Sequence, residues 1–445
     1  MPGTRQVAVR FWAVIEAAAL VAYVGFAVAF ALTIPLGTGP DEEGHAAYVR
    51  SLATGQGLPL PGESPSRRGA PTVISPQAHH PPLYYALLVP VYRLVPTREG
   101  FLLGARLVSI VLGLAGVLLV RAAGRRVRLE PAAVALGLCV LVSLSTFSVV
   151  MGLLNNETLA MLVVCLSIYV CARFLEGGSA RAATLVLGGM LGLALLSKLT
   201  ATVAVFPLAA GVIAASRRAG PERHWRALAA GRIALGLALT GAITAPWFAH
   251  NLATHGALVY NSTYRPYHED AMLVLMSGWP VCLVAGSVIE EDLTELVFPN
   301  WLTRRYMPRV AAYYDPPVDR RPMRPWWYDA LMLLFWGLPA AGLVRRRRAA
   351  DADAARTRQM AWVVGLLVVG AMLGVIHQAL FVDRFVMRWA PRYAPVFLPA
   401  LALVLGAGWS GLLPARARPV AAVALLAAAL TASAIALAAV AGRLP

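Results

Sequence analysis

The sequence predicts an all-α, polytopic membrane protein, and three observations carry that prediction. Apolar runs long enough to cross a bilayer, at about 17–25 residues each, recur from one end to the other. The chain of 445 residues is 59% hydrophobic and only 14% charged, unlike a soluble domain. Its arginines gather in short segments between the apolar runs, and one alternation of sides accommodates nearly all of them.

Length and hydropathy give about eleven spans, at roughly 11–36, 101–121, 131–151, 157–174, 182–197, 199–216, 231–250, 327–344, 360–380, 393–413 and 418–440. Arg5 and Arg10 place the N-terminus in the cytoplasm. The turns bearing Arg121 to Arg128, Arg173 and Arg181, Arg217 to Arg226, Arg345 to Arg348, and Arg416 and Arg418 then fall on the same side, and the C-terminus on the far side. The apolar run after Arg10 is too long for a signal-peptide core and no small-residue cleavage site follows it, so it is expected to be a retained first span. The net charge of +17 would suggest a nucleic-acid partner in a soluble protein; here it is topology signal. Lys198 is the only lysine, an Arg bias that fits high-GC codon usage and a bacterial source. Cys139, Cys165, Cys171 and Cys282 show no metal spacing and no disulfide framework.

The chain therefore reads as a single integral membrane domain, 1–445, with two long loops outside, 37–100 and 251–326. The first loop opens with GPDEEGHAAYVRSLATGQGL, from Gly39 to Leu58. Pro40 sits where a helix would begin, Asp41, Glu42 and Glu43 fill its first turn, and helical spacing puts Asp41, His45, Tyr48 and Leu52 on one face. Acids at the positive end of a helix dipole are also plain helix chemistry. Their place just outside the membrane edge, in an otherwise acid-poor chain, points to a reaction site. A Pro/Gly/Ser/Arg-rich connector runs from Pro59 to Pro76. HHPPLYYALLVPVYRLV then reads as an interfacial helix carrying Tyr84, Tyr85 and Tyr92 and too short to span. The second loop is rich in Tyr, Trp, Pro and Arg, with an apolar stretch from Ala271 to Ile289. No paired Gly/Pro-broken spans mark an inverted-repeat transporter.

Polar groups near membrane depth are functional candidates. Glu16 lies inside the first span. Asn155, Asn156 and Glu157 form a short turn, Lys198 ends a helical hairpin, and His377, Gln378, Arg388 and Arg392 lie at or beyond the outer end of the ninth span. Apart from Glu16, all fall on the side of Asp41. Each has a plainer role: Asn155 to Glu157 as a helix cap, Lys198 snorkelling to the interface, the arginines as anchors, and His79 and His80 as turn residues before Pro81 and Pro82. A zinc site from Asp41, His45, His79 and His80 is conceivable, but the spacing matches no metal motif, so no metal ligands are assigned.

One carboxylate cluster and scattered cations at a lipid surface suit sugar transfer from a polyprenyl-phosphate carrier. The leaving phosphate is a weak base and needs a cation. The acceptor hydroxyl needs one general base, whereas glycoside hydrolysis needs two carboxyls.

Six segments in order, PDEEGHAAYVRSLATGQGLP, QAHHPPLYYALLVPVY, NNETLAMLVVCLSIYV, LGLALLSKLT, APWFAHNLATHGALVY and APRYAPVFLPALALVLG, resemble the GT-C membrane glycosyltransferases. The likeness is to the family 39-like set, similar to bacterial protein O-mannosyltransferases and aminoarabinose transferases. That resemblance implies an inverting transfer at the extracytoplasmic face, with Asp41 as catalytic base and Glu42 as the adjacent acid. It places Lys198, Arg392, Tyr393, Asn155 and Asn156 on the donor phosphate and substrate, and His79, His80 and Tyr85 of the first loop are expected to join them there. It implies a polyprenyl-phosphate-linked sugar donor, a hydroxyl acceptor on a protein, lipid or glycan, and no required cofactor, although the acids can hold a divalent cation. A large C-terminal soluble domain found in some relatives is lacking. A lipid or glycolipid flippase and a metal-dependent membrane hydrolase are the alternatives.

Overall fold

The computed structural model describes residues 2–39, 41–62, 73–95, 97–219, 224–259, 338–345, 362, 365 and 396–442. Its helices, numbered in chain order among those residues, are α1 (Pro2–Thr33), α2 (Glu42–Ala53), α3 (Leu83–Leu94), α4 (Arg98–Arg126), α5 (Pro131–Ser143), α6 (Ser145–Met151), α7 (Glu157–Glu176), α8 (Ala180–Ser197), α9 (Val205–Ala219), α10 (Trp225–His255), α11 (Leu398–Leu412) and α12 (Arg418–Val440). A 3-10 turn, Leu199–Ala204, joins α8 to α9. Strand pairing among these residues is confined to a two-residue parallel bridge, Leu60–Pro61 with Ile74–Ser75.

The all-α polytopic architecture is as expected. Seven described helices are long and apolar enough to cross a membrane, or eight if the bent pair α5 and α6 is one span. That pair turns through 73° at Leu144. The expected span 393–413 is represented by α11, only 15 residues long, and those at 327–344 and 360–380 lie largely outside the described residues.

Helix packing follows small residues. α4 packs on α7, where a Cβ on Gly116 would stand 2.5 Å from Met161 Sδ. α5 packs on α11 almost backbone to backbone. A Cβ on Gly406 would lie 2.3 Å from both Ala133 O and Gly137 N, the close approach that small residues allow between membrane helices.

Charged contacts pin α1 to α4 at both ends. At one end Glu16 accepts from Arg121 Nε at 2.5 Å and Arg125 Nη2 at 2.8 Å. At the other, Arg106 donates to the carbonyls of Ala31 and Ile34, each at 2.7 Å, and of Pro35 at 3.1 Å. Helical rise separates the two pins by roughly 22 Å. The Glu16 end also holds Arg126 paired with Glu176, and Arg218 bonded to the carbonyls of Phe174 and Leu175.

The first loop carries α2 and α3, packed against each other with Tyr48 and Tyr85 stacked at 3.8 Å. α3 is the short apolar helix expected there and buries Tyr84, Tyr85 and Leu88. The start of α2 needs correcting. It begins at Glu42, and Pro40 lies outside the described residues. Asp41 precedes the helix, with φ 62° and ψ 4° in the left-handed region. Its carbonyl accepts the first helical bond from His45 N at 2.9 Å, while its side chain makes no cap bond. The Glu42 carboxylate, accepting from Gly39 N at 3.1 Å and Gly37 N at 3.2 Å, curls the chain tightly just before the helix. That curl requires the left-handed residue at 41.

Candidate active site

The site is built around a fully buried ion pair. Glu42 and Arg106 meet through two parallel bonds, Nε to Oε1 at 2.8 Å and Nη2 to Oε2 at 2.6 Å. Such a fork is the strong form of a carboxylate–guanidinium contact. Glu42 Oε1 also accepts from Leu154 N at 3.0 Å. One carboxylate thus ties the first loop to the end of α1, to α4 and to the turn that starts α7.

That turn carries the next candidates. Asn155 accepts from Glu157 N at 2.9 Å and donates to the Val150 carbonyl at 2.6 Å. It is an Asx-type turn residue whose oxygen and amide both serve the backbone. Asn156, at the helix N-cap position, makes no cap bond. Its Oδ1 instead accepts from Lys198 Nζ at 3.1 Å, and Lys198 is also paired with Glu157 Oε1. All three are deeply buried, at 1% for Asn156, 3% for Glu157 and 6% for Lys198. Lys198 stands in extended conformation where α8 stops and the 3-10 turn begins.

The aromatic and histidine group lies between. His45 Nδ1 is 2.9 Å from the Tyr85 hydroxyl, and Tyr48 donates to the His80 carbonyl at 3.1 Å. The His79 and His80 rings lie 4.0 Å apart, and His79 Nδ1 is 3.0 Å from the Pro76 carbonyl. Burial pushes the His79 imidazole down to about 4. The Pro76 carbonyl opposes that shift, the Lys198 charge adds to it and the Asp41 charge opposes it. Burial likewise raises the Tyr85 phenol well above its ordinary value, helped by the charges of Asp41 and Glu157. The charges of Asp41 and of the Lys198–Glu157 pair therefore both bear on His79 and Tyr85.

The structure brings together Asp41, Glu42, His79, His80, Tyr85, Asn155, Asn156 and Lys198. Arg392 and Tyr393, with His377, Gln378 and Arg388, lie outside the described residues. Glu16 belongs to the opposite end of the bundle. Among the described residues no three His, Cys, Asp or Glu side chains gather closely enough to hold a metal ion, so the zinc arrangement finds no ligand set there. Sequence reasoning missed Arg106, concealed in the apolar run 101–121. A lone arginine inside a span is itself the signal that would have found it.

Chemically, Asp41 is an exposed carboxylate in a site whose other acids, Glu42 and Glu157, are engaged with cations. His79, held neutral near neutral pH, can donate or accept a hydrogen bond without adding charge.

Residues 79–248 match the family described as dolichyl-phosphate-mannose-protein mannosyltransferase. The match runs from His79 through most of α10 and takes in Tyr85, the Asn155–Glu157 turn and Lys198. No curated protein matches the chain in sequence. Two crystal structures of ArnT from Cupriavidus metallidurans are similar at 18% identity, one bound to undecaprenyl phosphate and one in the apo state. They cover 90% and 93% of this chain and 77% and 78% of their own, each with a TM-score of 0.38. The segment that matches this family, 170 of the 445 residues, runs through the middle of the described helical bundle, from just before α3 into α10.

Proposed function

We propose that this chain is a membrane glycosyltransferase of the GT-C superfamily, which transfers a sugar, with inversion, from a polyprenyl-phosphate-linked donor to an acceptor hydroxyl. Asp41 is the general base, and the site faces the extracytoplasmic side of a bacterial plasma membrane. The observation that carries this reading is the placement of Asp41. It is an exposed carboxylate on a left-handed turn, at the same end of the bundle as Lys198 and within electrostatic reach of His79 and Tyr85.

The chemistry divides between two poles. Asp41 takes the acceptor proton as the oxygen attacks the anomeric carbon, a single-base task. The departing phosphate needs positive charge and no acid, for which Arg392, beside Tyr393, is the proposed cation. Lys198, Asn156, His79, His80 and Tyr85 form the wall facing the donor. Asn155 shapes the turn that presents Asn156. Glu42 holds the turn in front of Asp41, since both its oxygens already accept from Arg106 and backbone amides.

The test is transfer of radiolabel from a panel of polyprenyl-phosphate sugars into membrane acceptors, with the product identified by mass. Asp41→Asn should insert and fold as the parent does and lose transfer by about 10²–10⁴-fold, the range for a lost general base. Undiminished transfer by that variant overturns the assignment. A translocator reading gains nothing from Glu16, the acid inside α1, because Arg121 and Arg125 neutralise it.

A further inference from the structure

Buried polar atoms are nearly always paired, and one left without a partner costs about 1–3 kcal/mol. Among the described residues, three such atoms belong to two residues that bond Lys198 and to one just after it in the chain: Asn156 Nδ2, Glu157 Oε2 and Thr200 Oγ1. Asn156 and Glu157 sit at the start of α7, and Thr200 lies in the 3-10 turn that packs against that helix. The complementary atoms of the same side chains are occupied. Asn156 Oδ1 and Glu157 Oε1 both receive the Lys198 ammonium. The lysine thus fixes the rotamers of both residues and leaves a donor on Asn156 and an acceptor on Glu157 unmatched, with the unmatched Thr200 hydroxyl on the turn packed against the same helix.

The charges decide what fits. Lys198 is compensated by Glu157, so the group offers no net positive charge. A phosphate oxygen placed here would meet Glu157 Oε2, an acceptor facing an acceptor. A hydroxyl meets no such conflict. It donates to Glu157 Oε2 and accepts from Asn156 Nδ2 or Thr200 Oγ1, all three being capable of those roles. Adjacent hydroxyls on a sugar ring present that mixture of donors and acceptors.

We propose that Asn156, Glu157 and Thr200, oriented by Lys198, form the subsite that binds the hydroxyl groups of the donor's sugar, distinct from the place where its phosphate is held. This rests on the reading of the chain as an enzyme that uses a polyprenyl-phosphate-linked sugar, and it assigns this cluster to the sugar half of that donor. A site built to bond a hydroxyl discriminates strongly against a ligand lacking it, because its own buried groups are then left unpaired.

The experiment compares the affinity of the full chain in nanodiscs for bare polyprenyl phosphate and for polyprenyl-phosphate mannose, glucose and galactose. In the parent, at least one hexose-bearing lipid binds about tenfold or more tighter than the bare lipid phosphate. Glu157→Gln and Thr200→Val each reduce that ratio by about tenfold, the scale of one hydrogen bond to a buried group, while affinity for the bare lipid stays within about twofold. Thr200→Val conserves volume and leaves the Lys198–Glu157 pair intact, so its result stands even if Glu157→Gln fails to fold. An unchanged ratio in a folded Thr200→Val variant overturns the assignment. An equal loss on the bare lipid also overturns it, because the cluster is then a phosphate site. If the parent binds none of the four lipids, the donor reading itself fails, and that outcome shows without any variant.

Discussion

Glu42 and Arg106 face each other as a two-bond fork at 2.8 and 2.6 Å, with both side chains fully buried. Both oxygens of Glu42 and the guanidinium of Arg106 are engaged within the protein. Their contact fixes where Asp41 stands relative to the Asn155–Glu157 turn, because Glu42 adjoins one in sequence and bonds Leu154 N beside the other.

Breaking that fork leaves a buried charge without its partner. Arg106→Met should destabilise the chain by about 3–5 kcal/mol, the usual cost of removing one member of a buried pair. Arg106→Lys should recover only part of this, since an ammonium cannot reproduce the planar fork. Thermal unfolding in nanodiscs measures both.

The left-handed backbone at Asp41 predicts a separation of stability from activity. Glycine adopts φ 62° without the steric cost other residues meet there, about 1–2 kcal/mol for most side chains and less for Asp. Asp41→Gly should therefore match or exceed the parent in thermal stability while losing transfer about as fully as Asp41→Asn. A variant that is both stable and active would remove Asp41 from the chemistry.

His79 makes stability depend on pH. Its folded pKa of about 4 lies below the ordinary 6.5, so between those values the unfolded chain binds more protons than the folded one. Its contribution is complete above about pH 6.5 and declines as pH falls toward 4. Unfolding midpoints at pH 7.5, 6 and 5 should drop in the parent, and more shallowly in His79→Gln.

Gly406 should tolerate no larger side chain. The Cβ of Gly406→Val would enter the space of Ala133 O and Gly137 N, both backbone atoms. Overpacking costs about 1–3 kcal/mol, with the upper end expected where backbone must yield. Lowered thermal stability with preserved helix content would be the readout.

Hydropathy made the bundle legible, because a bilayer demands long apolar helices and α1, α4, α7, α8, α10 and α12 supply them. It could not show the 73° break at Leu144, which carries no proline or glycine signal. The acids and Lys198 were visible as polar residues at span ends. Their partners were not, since Glu42 to Arg106 and Glu157 to Lys198 are contacts across more than forty residues of sequence. Asp41 was read as first-turn helix from its composition. The side-chain bonds of Glu42 to Gly37 and Gly39 overrode that preference and set the boundary one residue later than Asp41.

The two pins between α1 and α4 also measure depth. Glu16 and Arg106 stand roughly 22 Å apart along the helices, against a hydrocarbon slab of about 30 Å. Asp41 lies beyond the Arg106 pin, at the end of the bundle opposite Glu16. A lipid-linked donor of the kind proposed would meet Asp41 with its head while its tail stayed among neighbouring lipid chains. On that proposal the encounter would be a two-dimensional search within one leaflet, with no extraction step to slow it.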